Sequence, residues 1–155
     1  MAATQVAVIM GSSSDKKVMK ACLEYLDHFG ISYEAKVLSA HRNPEALDDY
    51  IHKLMAEDIQ VIIAGAGMAA ALPGVIAAKT SIPVIGVPLD SSSLSGTDAL
   101  YSIVQMPKGI PVGCMAIGSS GAVNAVLYAL RIMSLSDERL REKLTEHRGS
   151  LKAGK

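Results

Sequence analysis

Val6-Ala7-Val8-Ile9-Met10-Gly11-Ser12-Ser13-Ser14-Asp15 is where the regular structure of this chain begins. Five consecutive apolar residues ending in glycine suit a strand buried on both faces, as in a parallel sheet covered by helices. The hydroxyl-rich segment then leads into a helical pattern with Val18, Cys22, Tyr25, Leu26 and Phe29 on one stripe. Gly30 stops it, as expected just past a helix end. Strand, short polar loop and amphipathic helix make the first half of a βαβ unit.

The rest of the chain repeats that alternation. A second strand is expected from Ile31 to Leu38, with Ile31, Tyr33, Ala35 and Val37 alternating. Asn43 is placed to cap the next helix and Pro44 to open it, with Leu47, Ile51, Leu54 and Met55 on its buried stripe. A third strand, Ile59 to Ala64, gives way to a small-residue loop, Gly65 to Gly74, and a short helix ending near Lys79. A fourth strand runs from Pro83 to Val87, and a serine-rich loop from Pro88 to Gly96. A helix then begins at Thr97 or Asp98 and ends near Val104, and a fifth strand covers Val112 to Ile117. This spacing implies right-handed crossovers and an α/β fold, a doubly wound parallel sheet in three α/β/α layers. One domain, residues 1–155, is expected, with 136–155 as a C-terminal helix and tail in which Ser136, Asp137 and Glu138 cap a helix running to about His147.

The helix from about Ala122 to Met133 is interrupted only by Asn124, Tyr128 and Arg131. A helix apolar nearly all round must be buried on most sides, which predicts packing against neighbouring subunits in a homo-oligomer.

Bulk composition excludes several function classes. The 155 residues are 50% apolar and 19% charged, so the chain can build a core. Fifteen Lys and Arg balance fifteen Asp and Glu, which leaves no electrostatic footprint for nucleic acid and no polybasic membrane patch. Met1 to Gln5 lacks the basic start and apolar core of an export leader, and no run approaches the roughly 20 apolar residues that span a bilayer. Cys22 and Cys114 fall in a predicted helix and strand and read as buried thiols, so the expected location is the cytoplasm.

Three loops should meet at the carboxyl edge of the sheet, where open α/β sheets hold ligands. In Gly11-Ser12-Ser13-Ser14-Asp15, N–H groups and hydroxyls at a helix N-terminus suit a phosphate. Asp15 would repel one, and fits better as an acceptor for ligand hydroxyls such as a ribose. The alternative is a helix cap and nothing more. In Ser39-Ala40-His41-Arg42-Asn43-Pro44, a hydroxyl, an imidazole and a guanidinium stand within four residues. These can bind an anion and move a proton, or can be a helix-opening turn with a surface histidine. The Gly65–Gly74 loop would let a flat ligand lie against backbone, or would simply pack helix on strand. His28 lies in the last turn of its helix, and His52 and His147 read as solvated. There is no paired histidine, carboxylate cluster or C-x-x-C for a metal, and no G-x-S-x-G elbow. The residues alone reach a small anionic ligand with one imidazole as acid and base; they do not reach a reaction.

Five blocks in order, Gly11–Asp15, Ser39–Arg42, Gly65–Gly74, Leu94–Asp98 and Tyr101–Pro111, together resemble the PurE family of purine biosynthesis. The resemblance implies a flavodoxin-like domain assembled as an octamer. It also implies a mutase that converts N5-carboxyaminoimidazole ribonucleotide to 4-carboxy-5-aminoimidazole ribonucleotide without metal, ATP or organic cofactor. By that resemblance His41 is the acid–base group, Arg42 contacts the phosphate, and Ser12, Ser14 and Asp15 bind the nucleotide. Ser39, Gly67 and Leu72 line the pocket. Carbon dioxide would leave the exocyclic nitrogen and be recaptured at C4, in a site closed to water between subunits.

The third loop departs from the family form Gly-Gly-Ala-Ala-His-Leu-Pro-Gly: Met68 stands for the second glycine and Ala71 for the histidine. Losing that imidazole removes a donor, at a cost of about 1–3 kcal/mol. Leu72, Pro73 and Gly74 keep the chain nearer the mutase branch than the branch that carboxylates aminoimidazole ribonucleotide directly. The further alternatives are a related enzyme acting on another heteroaromatic ribonucleotide and a non-enzymatic nucleotide-binding oligomer.

Overall fold

The computed structural model describes residues 5–154; the leader reading of Met1 to Gln5 lies outside them but for Gln5. Five parallel strands form one sheet in the order β2-β1-β3-β4-β5. They are β1 (Val6–Met10), β2 (Tyr33–Val37), β3 (Val61–Gly67), β4 (Val84–Leu89) and β5 (Gly113–Cys114). Six helices connect and cover them: α1 (Lys16–Phe29), α2 (Pro44–Met55), α3 (Leu72–Ala77), α4 (Thr97–Val104), α5 (Ser119–Met133) and α6 (Glu138–Lys152).

The strand period of two divides the core between the faces of the sheet. Val6, Val8, Ile63 and Val87 pack under α1, α5 and α6, while Ala7, Ile9, Ile62 and Ala64 pack under α2, α3 and α4. All five residues of β1 are buried, as a strand central to a covered parallel sheet requires. β2 lies at the sheet edge, so its alternation leaves Ala35 exposed and Val37 only half-buried.

Several expectations need correction. Asn43 occupies the N-cap position of α2, as expected, but its side chain makes no capping hydrogen bond; its Oδ1 accepts the Ser39 N–H at 2.6 Å and closes the preceding turn. Tyr50 takes the place on the buried stripe expected of Met55, which is 43% exposed. β3 does not stop at Ala64 but runs to Gly67, paired with β1 as far as Gly65 and with β4 to its end. A Cβ at position 65 would collide with the Met19 side chain, so the glycine marks close packing inside a strand rather than a loop. β5 keeps only two of the six expected residues, and Cys114 in it is half-buried. Asp137 caps α6 through the N–H groups of Arg139 and Leu140, but the helix continues through Gly149 to Lys152. His147 is half-buried, its ring edge-on to Phe29 at 5.5 Å. Part of the cover expected for α5 from other subunits comes from α6 of the same chain, through Leu140 and Leu144.

Candidate functional site

In this strand order the connections leave β1 on both sides, and the crevice at that reversal, between the ends of β1 and β3, is the natural ligand position. A cleft of about 390 Å³ opens there. The loops after β1, β2 and β3 all reach it, and each sequence-predicted site residue lines it. Ser12, Ser14 and Asp15 come from the first loop, Ser39, His41 and Arg42 from the second, and Gly67 and Leu72 from the third.

The first loop is a tight reciprocal cap. The Ser12 N–H donates to Asp15 Oδ2 at 2.8 Å, while Ser12 Oγ accepts the Ser14 N–H at 3.4 Å and the Ser14 hydroxyl at 3.0 Å. Asp15 is only 5% exposed. Burial pushes its carboxyl up from the ordinary value, while hydrogen bonds from the Ser12 and Gly11 backbone and the charge of Arg42 draw it back down. The cap and the ligand-facing reading of this loop are therefore compatible: one carboxylate oxygen closes the turn while the side chain still lines the cleft.

The second loop is held from both ends. Ser39 Oγ accepts the N–H groups of His41 at 3.3 Å and Arg42 at 3.2 Å, and Asn43 holds the N–H of Ser39. Its hydroxyl thus shapes the turn that presents the imidazole and guanidinium, both of which are exposed. Among the described residues His41 is the only imidazole lining the cleft and Arg42 the only guanidinium.

The third loop is bare of polar side chains. Met68 adopts φ 55°, a left-handed backbone that glycine takes without steric cost, and its side chain is 63% exposed at the cleft. Ala71 is half-buried and lines the cleft with a methyl group alone. Sequence reasoning missed Ser91, from the loop after β4, which lines the same cleft. Its signal was the serine-rich run before Gly96, but only the adjacency of β3 and β4 brings it to Gly67. Among the described residues no group of three or more metal-ligating side chains comes together, and no helix is long and apolar enough to cross a membrane.

The family model described as AIR carboxylase matches residues 5–153. The N5-carboxyaminoimidazole ribonucleotide mutase of Vibrio vulnificus (strain CMCP6) is 54% identical over 144 residues, 93% of this chain and 89% of that protein. The protein of the same name from Bacillus subtilis (strain 168) is 52% identical over 147 residues, 95% of this chain and 91% of the other. The crystal structure of Treponema denticola PurE superposes with a TM-score of 0.89 at 30% identity, covering 97% of this chain and 92% of that one. Fold, loop motifs and near-complete coverage agree, and the chain belongs to the AIR carboxylase family.

Proposed function

We propose that this chain is a mutase that converts N5-carboxyaminoimidazole ribonucleotide to 4-carboxy-5-aminoimidazole ribonucleotide. The observation that carries the reading is the convergence of one imidazole, one guanidinium and the buried Asp15 on a single cleft at the β1–β3 crevice. Relatives bearing the mutase name at 52–54% identity support it.

Arg42 holds the phosphate with its planar fork of donors. Asp15 accepts from the ribose hydroxyls, and the heterocycle lies over Gly67 and the methyl groups of the third loop. His41, as imidazolium, delivers a proton to the exocyclic nitrogen as the carbamate C–N bond breaks and carbon dioxide leaves. The enamine carbon C4 then attacks the carbon dioxide, and the neutral imidazole removes the C4 proton. His41 ends as it began, so the steps sum to an isomerisation in which one group serves as acid and then base.

Carbon dioxide must be kept from escaping between the two steps, and in the single chain the cleft is open, with His41 and Arg42 exposed. Assembly into an octamer supplies the cover. Tyr128, Leu135 and Leu151, at 44%, 81% and 61% exposure, are apolar surface available for contact between copies. A role in purine biosynthesis supports a cytoplasmic location for the protein.

The test supplies the purified protein with the carboxylated ribonucleotide, and separately with bicarbonate and aminoimidazole ribonucleotide. Turnover in the first and none in the second is expected. Saturable product formation from the second alone makes the chain a direct carboxylase, and inactivity in both defeats the enzymatic reading.

A further inference from the structure

The half of the cleft floored by β3 and its loop has few ways to make a hydrogen bond. The side chains of residues 66–72 are methyl, methylene or thioether groups. The N–H groups of Ala70 and Ala71 are spent on the carbonyls of Met68 and Ala69, at 2.9 and 2.7 Å. One side chain breaks this pattern. Ser91 reaches over from the loop after β4, and its Oγ fills the space that Gly67 leaves: a Cβ at position 67 would collide with it.

The loop carrying Ser91 is braced by its neighbour. The Ser92 hydroxyl donates to Asp98 Oδ1 at 2.8 Å in the first turn of α4 and accepts the Leu94 N–H at 3.2 Å. Gly96 adopts φ 84°, and a Cβ there would collide with the Ile117 side chain. Ser92 therefore does the structural work of the turn. The Ser91 hydroxyl has no hydrogen-bond partner among the described residues.

We propose that Ser91 is a specificity-determining residue whose hydroxyl binds the carboxyl group of the carboxylated imidazole nucleotide; this rests on the ribonucleotide reading above. Arg42 follows β2 and Ser91 follows β4, three strand spacings away, or about 14 Å across the sheet. With the phosphate at Arg42 and the ribose at Asp15, the ring lies over Gly67. Its far edge, which bears the exocyclic nitrogen and C4, then faces Ser91 within the same cleft that the His41 imidazole lines and reaches into. Those two atoms are separated by one ring carbon, so a single rotatable hydroxyl can follow the carboxyl group from one to the other. An apolar floor with one donor suits a substituent that is charged before and after the reaction and neutral during it.

The experiment uses His41→Asn, which should bind ligand without consuming it, and compares it with His41→Asn/Ser91→Ala by calorimetry. Two ligands are titrated: 4-carboxy-5-aminoimidazole ribonucleotide and aminoimidazole ribonucleotide, which lacks the carboxyl group. The expected result is about a 10-fold rise in Kd for the carboxylated nucleotide alone. Matching thermal melts of the two variants show that the fold is intact. If Ser91→Ala weakens both ligands equally, or neither, while wild-type protein binds both, the inference fails alone. If the wild-type protein binds neither, the ribonucleotide reading fails and takes the inference with it.

Discussion

The two halves of the cleft are built from different chemistry. On the β1–β2 side, Ser12 with Asp15 and Ser39 with Asn43 form two local sets of hydrogen bonds, each closing its own loop. On the β3–β4 side, apart from Ser91, there are only small or apolar side chains and one residue with left-handed backbone. The first half fixes charged and polar groups in position, which recognition of an ionic ligand end and a defined proton path both require. The second offers close backbone approach and little polarity, which suits a flat ring and an uncharged small molecule. Substitutions should therefore cost function on the first side far more than on the second.

The largest effect falls on the imidazole. His41→Asn should lower kcat by at least about 1,000-fold, since general acid–base catalysis contributes on that order and both proton transfers use this group. Ligand binding should survive, as seen by calorimetry. A variant with near-wild-type kcat would sink the mechanism. Arg42→Ala comes next. Losing a charge-assisted phosphate contact should raise KM about 100-fold while leaving kcat much closer to wild type. If kcat falls instead and KM holds, Arg42 acts on the reacting end and the polarity of the cleft has been assigned backwards.

Much of the β1–β2 side was legible in the sequence because its determinants are local. Val6–Met10 read as a doubly covered strand, and the side-chain hydrogen bonds of Gly11–Asp15 and Ser39–Pro44 stay within four residues. Asn43 stands at the expected N-cap, but its side chain bonds backwards, because an Asn side chain can satisfy either the helix end or the turn before it. The β3–β4 side was less legible because its determinants are long-range. Gly65 and Gly67 look like loop residues. Their reasons for being glycine, Met19 and Ser91, lie far away along the chain. β5 shrank to two residues because edge pairing depends on β4 and not on the apolarity of 112–117.

Asp15→Asn tests the polar side in two ways at once. The folded-state pKa of Asp15 is raised, mainly by burial. Its stabilising contribution is therefore fully present only below the unfolded pKa, and is lost as pH rises through the folded one. At neutral pH the ionised carboxylate is a cost, so Asn should raise Tm by roughly 2 °C at pH 7. That gain should shrink as pH falls through the carboxylate range, where wild-type Asp15 becomes protonated. The same change should raise KM about 10-fold by weakening the ribose contact. A destabilised Asn variant at pH 7 would mean that the bond to the Ser12 N–H outweighs burial.

The smallest effect is expected at Met68, on the bare side. A non-glycine residue at φ 55° costs about 1–2 kcal/mol in steric strain, which Met68→Gly relieves. Glycine also gives the unfolded chain more freedom, which offsets about 0.4–1 kcal/mol of that gain. With its side chain 63% exposed, Met68 loses little buried contact. Urea unfolding of Met68→Gly should therefore fall within about 1 kcal/mol of wild type, on the stabilising side. Met68→Ile should be clearly worse, because a β-branched side chain tolerates positive φ least. If glycine destabilises instead, the thioether makes contacts worth more than the strain it carries, and the β3 half of the cleft is not the passive floor that its chemistry implies.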